Sequence, residues 1–215
     1  MRIEPSGPDL WIVRQFDAPA AALAAWFESQ AIPGILEVTS SYETLGIWTT
    51  SEFDSESALA SLNSAPEDLK VKGKHHRVAI CYEMGPDLES VLRALGIDRT
   101  ALIESHTTTL FRCAAVGFSP GFAYLGSVAP ELSGLPRRST PRTRVEPGSV
   151  GIVGHQCAVY PSATPGGWNL IGRTPLLMAD VEGEFFPIRA GDTVQFIQIP
   201  ESDFDRWAGA RLGEF

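Results

Sequence analysis

The sequence predicts an α+β protein built from two unlike halves, and three observations carry that reading. Residues 1–106 hold 8 basic and 16 acidic side chains, net −8, with 6 Gly and 6 Pro and apolar residues at helical spacings. Residues 107–200 hold 7 basic and 6 acidic side chains, net +1, with 12 Gly and 10 Pro, the turn density of a many-stranded β structure. Residues 86–105, between them, read as consecutive helices. The organisation expected is a ferredoxin-like domain at 1–84, a helical connector at 85–106, a β-barrel at 107–200 and an acidic tail at 201–215.

The elements follow in order. An opening strand is expected near 10–16. Asp17 and Pro19 start a helix over 18–30 in which Leu23, Trp26, Phe27 and Gln30 recur at spacings of three and four. Residues 35–39 and 42–50 are rich in β-branched and aromatic side chains and read as a hairpin. A second helix starts at Asp54 or Ser55 and ends before Pro66; residues 78–82 resume as a strand, completing a βαββαβ order, the split-βαβ pattern of a ferredoxin-like domain. Gly85-Pro86 opens a third helix carrying Leu88, Val91, Leu92 and Leu95, which Gly96 stops, and Asp98 caps a short fourth to about Ser105. Beyond it, strands are expected at 108–116, 150–154, 157–161, 168–173, 175–180 and 193–199, forming a closed or nearly closed barrel. In the last, the apolar alternation changes phase at Ile197, which implies a bulge or burial on both faces.

The whole chain has 215 residues, 17 basic and 26 acidic side chains and a net charge of −9, which disfavours a free nucleic-acid binder. No window has the apolar length of a membrane span and the first residues lack a signal-peptide core, so a cytoplasmic protein is expected. Cys81, Cys113 and Cys157 are widely spaced in apolar settings and read as reduced, buried thiols rather than disulfides or a metal cluster. Lys70, Lys72, Lys74, His75, His76 and Arg77 read as a solvated connection. His75 and His76 are adjacent and would point to opposite sides of an extended chain, so they are not expected to share a metal.

Two segments stand out chemically. Residues 137–144 place four of the fourteen arginines in eight residues, with Pro136 and Pro141 stiffening the stretch. Planar guanidiniums with flanking hydroxyls suit phosphate or carboxylate, so an anion site is favoured over a solvated loop. Pro165-Gly166-Gly167-Trp168 through Arg173-Thr174-Pro175 has glycines that allow close backbone approach; a binding lip and a hairpin turn with a core Trp fit it equally. By contrast, Gly117-Phe118-Ser119-Pro120-Gly121 matches the G-x-S-x-G string of hydrolase elbows but does not work as one. The residue after the serine is Pro120, which has no N–H to stabilise an oxyanion. A tight aromatic-walled turn is expected instead.

Taken together, Gly117-Phe118-x-Pro120-Gly121-Phe122-x-Tyr124-Leu125-Gly126, Thr140-Pro141-Arg142-Thr143-x-Val145, Gly148-Ser149-Val150-Gly151-Ile152 and Tyr160-Pro161 through Pro165-Gly166-Gly167-Trp168-x-x-Ile171-Gly172-Arg173-Thr174-Pro175 resemble the allophanate hydrolase subunit 1 family. That family includes 5-oxoprolinase subunits and a Bacillus sporulation histidine-kinase inhibitor, and is similar to part of the carboxyltransferase domain of urea carboxylase, subdomains C and D. The resemblance implies that the barrel is cyclophilin-like. It also implies a hydrolase subunit, inactive alone, that acts in a heteromer with a partner C subunit and a third subunit. The reaction implied is conversion of 5-oxoproline to glutamate with ATP, and Mg with it, as co-substrate. A regulatory inhibitor of a histidine kinase and a subunit acting on allophanate or another urea-derived amide are the alternatives. Carried over, Phe118, Pro120, Phe122 and Tyr124 would wall the pocket and Arg142, Gln156, Tyr160, Trp168 and Arg173 would line it, beside Arg137, Thr140, Gly166 and Gly167. The expectation is that Arg142 and Arg173 hold the phosphate or carboxylate, and that His106, in a His-Thr pair with Thr107, supplies a polar or proton-transfer group. No metal site is expected.

Overall fold

The computed structural model describes residues 1–215 and is α+β, in two compact units, Met1–Gly73 and Lys74–Phe215. The first unit runs β1 (Arg2–Pro5), β2 (Leu10–Arg14), α1 (Ala20–Glu28), β3 (Ile35–Ser41), β4 (Thr44–Thr49) and α2 (Ser55–Asn63). Its sheet is antiparallel in the order β1-β2-β4-β3. Val13, Leu45 and Ile47 project from one sheet face onto Leu23 and Phe27 of α1 and Ala58 and Leu62 of α2. Asp54 caps α2 as expected, accepting from the N–H groups of Glu56 and Ser57.

The second unit runs β5 (His75–Ile80), α3 (Leu88–Leu95), α4 (Arg99–Thr108), β6 (Phe111–Val116), β7 (Ala123–Gly126), β8 (Arg142–Val145), β9 (Ser149–Val153), β10 (Gln156–Val159), β11 (Thr164–Gly166), β12 (Asn169–Arg173) and β13 (Thr193–Gln198). Seven strands form one sheet, β12-β9-β10-β7-β6-β13-β5. Its two ends meet: Cys81, directly after β5, exchanges both backbone hydrogen bonds with Arg173 at the end of β12, at 2.8 and 2.9 Å. That bridge closes the barrel and removes the sheet's open edges. Strands β8 and β11 stand apart as a two-stranded ribbon.

The boundary differs from the sequence reading at one strand. β5 does not complete the N-terminal sheet; it pairs in parallel with β13 over six residues, and β1 takes the edge beside β2 where a last ferredoxin strand would lie. The cause is burial. Val78, Ala79 and Ile80 are all fully buried, so β5 needs cover on both faces, as parallel strands do. The β1–β2 hairpin, meanwhile, fills the vacant edge by a short loop of low entropic cost. The expected domain at 1–84 therefore ends at Gly73, and residues 74–106, including the expected connector, belong to the barrel unit. His75, His76 and Arg77 are strand residues rather than a solvated link, and His76 Nε2 lies 2.9 Å from Asp192 Oδ2.

Other strands shift in smaller ways. Residues 175–180 make only isolated bridges, whereas β7, β8 and β11 are strands the sequence did not announce. The β13–β5 register is unbroken, so the phase change at Ile197 is no bulge in that pairing: Phe196 is buried and Ile197 half-buried. Gly85 is dictated by packing, since a Cβ there would overlap the Ile171 carbonyl.

Candidate functional site: an aromatic cavity with paired arginines

A cavity of about 280 Å³ opens between the β6–β7 turn and the β8–β11 ribbon, near the lower end of small-molecule sites. Its base is an aromatic cluster separate from the main barrel core, in which Phe122 meets Tyr124, Tyr160 and Trp168 edge-on at centroid distances of 5.0, 5.2 and 5.7 Å. Phe118 stands at the rim with its backbone in the left-handed region, φ 72°, and the residue is 62% exposed. Its ring meets Phe122 edge-on at 5.2 Å, which extends the aromatic cluster to the cavity mouth. Ser119 does not act as an elbow: strand β7, not a helix, follows the turn.

Charge enters from the arginine segment. Arg138 Nη1 and Arg142 Nη2 both donate to Oδ1 of Asp87 at 2.7 Å, and the Leu170 N–H donates to Oδ2 at 2.8 Å. Asp87 is 4% exposed and sits at the N-terminus of α3, where the helix dipole favours an anion. One carboxylate against two guanidiniums leaves a surplus positive charge, to which the exposed Arg137 at the cavity wall adds. Arg138 Nε and Arg142 Nη1 are buried without a hydrogen-bond partner, donors held unspent beside the cavity. The Arg138 N–H also bonds the Gly167 carbonyl at 2.8 Å, tying the arginine segment to the glycine lip.

The structure gathers eight expected residues around this cavity: Phe118, Phe122, Tyr124, Arg137, Tyr160, Gly166, Gly167 and Trp168. Arg142 stands just behind, on the shared carboxylate. Pro120 and Thr140 are exposed and Gln156 is half-buried; none of the three lines the cavity. Arg173 does not pair with Arg142. Five residues beyond Trp168 at ~3.3 Å each, it sits at the barrel seam, where Nε donates to the Pro147 carbonyl at 3.0 Å and the guanidinium lies 5.8 Å from the Phe204 ring centroid.

His106 is also elsewhere. It is fully buried in the main core, Nδ1 2.7 Å from Tyr82 Oη and Nε2 3.5 Å from Cys157 Sγ, stacked on Phe196 at 4.4 Å. Desolvation pushes its pKa down to about 3. Leu102, Ser105 and His106 fall at i, i+3 and i+4 on the inward face of α4, a spacing that shows in the sequence and explains the burial. Arg138 lies in the segment 137–144 expected to bind an anion, whereas Asp87 is the site residue the sequence did not single out; their contact spans 51 positions and leaves no local signal.

The sequence model of the carboxyltransferase domain, subdomain C and D, matches residues 1–185. The chain belongs to this family. Among relatives of this carboxyltransferase C and D family, the chain is 34% identical over 231 residues to the 5-oxoprolinase B subunit of Bacillus subtilis (strain 168), covering 94% of this chain and 95% of the relative. It is 46% identical over 118 residues to the 5-oxoprolinase B subunit of Escherichia coli O157:H7, 54% of each chain. The crystal structure of TTHA0988 superposes on 88% of this chain with a TM-score of 0.77 and 31% identity. This chain spans 40% of that longer one.

Nothing in the cavity suits Mg²⁺. The ion takes oxygen ligands; no carboxylate lines the cavity, and Asp87, behind Arg138, is committed to two arginines. Nor do three or more His, Cys, Asp or Glu side chains converge anywhere else. No helix is long and apolar enough to cross a membrane.

Proposed function

We propose that this chain is the B subunit of an ATP-dependent 5-oxoprolinase, working in a heteromer with a C subunit and a third subunit, and that its barrel cavity takes the small carboxylated lactam. The observation that carries the reading is the cavity itself: aromatic walls sized for a small ring, bordered by a surplus guanidinium charge that suits one carboxylate. Curated relatives named as the B subunit of 5-oxoprolinase supply the chemistry to which that geometry is matched.

In this reading Trp168, Phe122 and Tyr124 enclose the ring and exclude water, while Arg138, held by Asp87 with Arg142 behind it, orients the carboxylate. The nucleotide and its Mg²⁺ belong on a partner subunit, since this cavity offers cations and rings where the metal needs oxygens. His106 has no part in proton transfer. The test is 5-oxoproline-dependent ATP hydrolysis by this chain alone, by its partners without it, and by the full set. Activity is expected only in the full set; full activity without this chain would remove the proposal.

A further inference from the structure

We propose that Tyr160 is a catalytic residue of this reaction, its hydroxyl donating a hydrogen bond to the lactam carbonyl oxygen; the inference rests on the 5-oxoprolinase reading. Tyr160 lies on the cavity floor with 2% of its surface exposed, its ring fixed edge-on by Phe122 at 5.2 Å. The hydroxyl end reaches the glycine lip. A Cβ built on Gly166 would stand 2.5 Å from Tyr160 Oη, so the absence of a side chain there is what lets the hydroxyl come up to the lining.

The polarity of that hydroxyl is set by its neighbours. A neutral tyrosine hydroxyl carries one O–H donor, and Arg137 and Trp168 line the same cavity beside it. Burial raises the Tyr160 pKa, and Arg137 and Arg142 oppose that rise, so the group stays protonated yet a better donor than burial alone would make it. When water adds to the lactam carbon, a C–O bond forms, the C=O π pair moves to oxygen and the water's proton passes to solvent; return of that pair then breaks the C–N bond, and the ring nitrogen takes up a proton as the amine. A fixed O–H aimed at that oxygen stabilises the developing charge more than it stabilises bound substrate, and no proton has to leave the tyrosine.

The experiment is steady-state kinetics of the reconstituted heteromer carrying Tyr160→Phe, which keeps the ring and its packing. Loss of one such donor is expected to lower kcat by roughly 100-fold while KM for 5-oxoproline changes far less. Gly166→Ala, whose methyl displaces the hydroxyl, is expected to lower kcat in the wild-type background and to add little to Tyr160→Phe; the double variant thus separates a donor from a packing role. An inert wild-type complex would overturn the functional reading and this inference together. An active wild type matched in kcat by Tyr160→Phe would overturn this inference alone.

Discussion

Asp87 holds the site together residue by residue, because a single carboxylate positions two guanidiniums and a backbone N–H from segments far apart in the chain. Asp87→Asn should lower the unfolding free energy by about 3 kcal/mol, the usual loss when a buried ion pair loses one partner, read from the denaturation midpoint. His106 makes an opposite kind of statement. Its folded pKa of about 3 lies below the ordinary 6.5, so between those pH values the unfolded chain binds a proton that the folded chain refuses. Stability is therefore whole above pH 6.5 and falls as the pH drops toward 3, by about 1.4 kcal/mol per pH unit from this group. His106→Phe should lessen that slope in equilibrium unfolding measured across the range, and an unchanged slope would contradict the burial argument. The thiols follow the same logic: burial pushes Cys81 up to about 11 and Cys113 up to about 12, and raises Cys157 as well.

Among elements, the barrel depends on the seam where Cys81 meets Arg173, and glycines make that approach possible. Gly85 lies against Ile171, and a Cβ on Gly172 would stand 2.8 Å from the Ile80 side chain and 2.9 Å from the Cys81 carbonyl. Gly85→Ala should cost about 2 kcal/mol or more by overpacking, seen as a lower thermal midpoint, while Gly96→Ala meets no neighbour and pays only for its left-handed φ of 69°. The local elements were legible in the sequence where periodicity and caps agree, as in α2 with Asp54 and α3 with Gly96. What stayed hidden is long-range. Nothing near residue 78 says that β5 will pair with β13 rather than β2, because both sheets satisfy its apolar run equally well at the level of pattern. The cavity's aromatic wall was likewise readable from its motifs. The role of Asp87 was not, since charge pairing across 51 and 55 positions has no periodicity to betray it.

For the whole molecule, the division at Gly73 rather than at a helical connector has a direct consequence. Lys70, Lys72 and Lys74 lie exposed in the stretch between α2 and β5, whereas the helices expected to link the domains pack into the barrel core through Leu88, Val91 and Leu102. Brief trypsin treatment should cut first at these lysines, giving two fragments resolved by mass spectrometry, and early cleavage at Arg93 or Arg99 would favour the later boundary. The function proposed rests on the barrel unit alone, where rings, glycine lip and arginine pair converge on one cavity. The most direct test is the KM for 5-oxoproline of the reconstituted heteromer bearing Arg138→Ala. Removing one charged donor from the carboxylate should raise KM roughly tenfold or more, and a KM equal to that of the wild type would contradict the account.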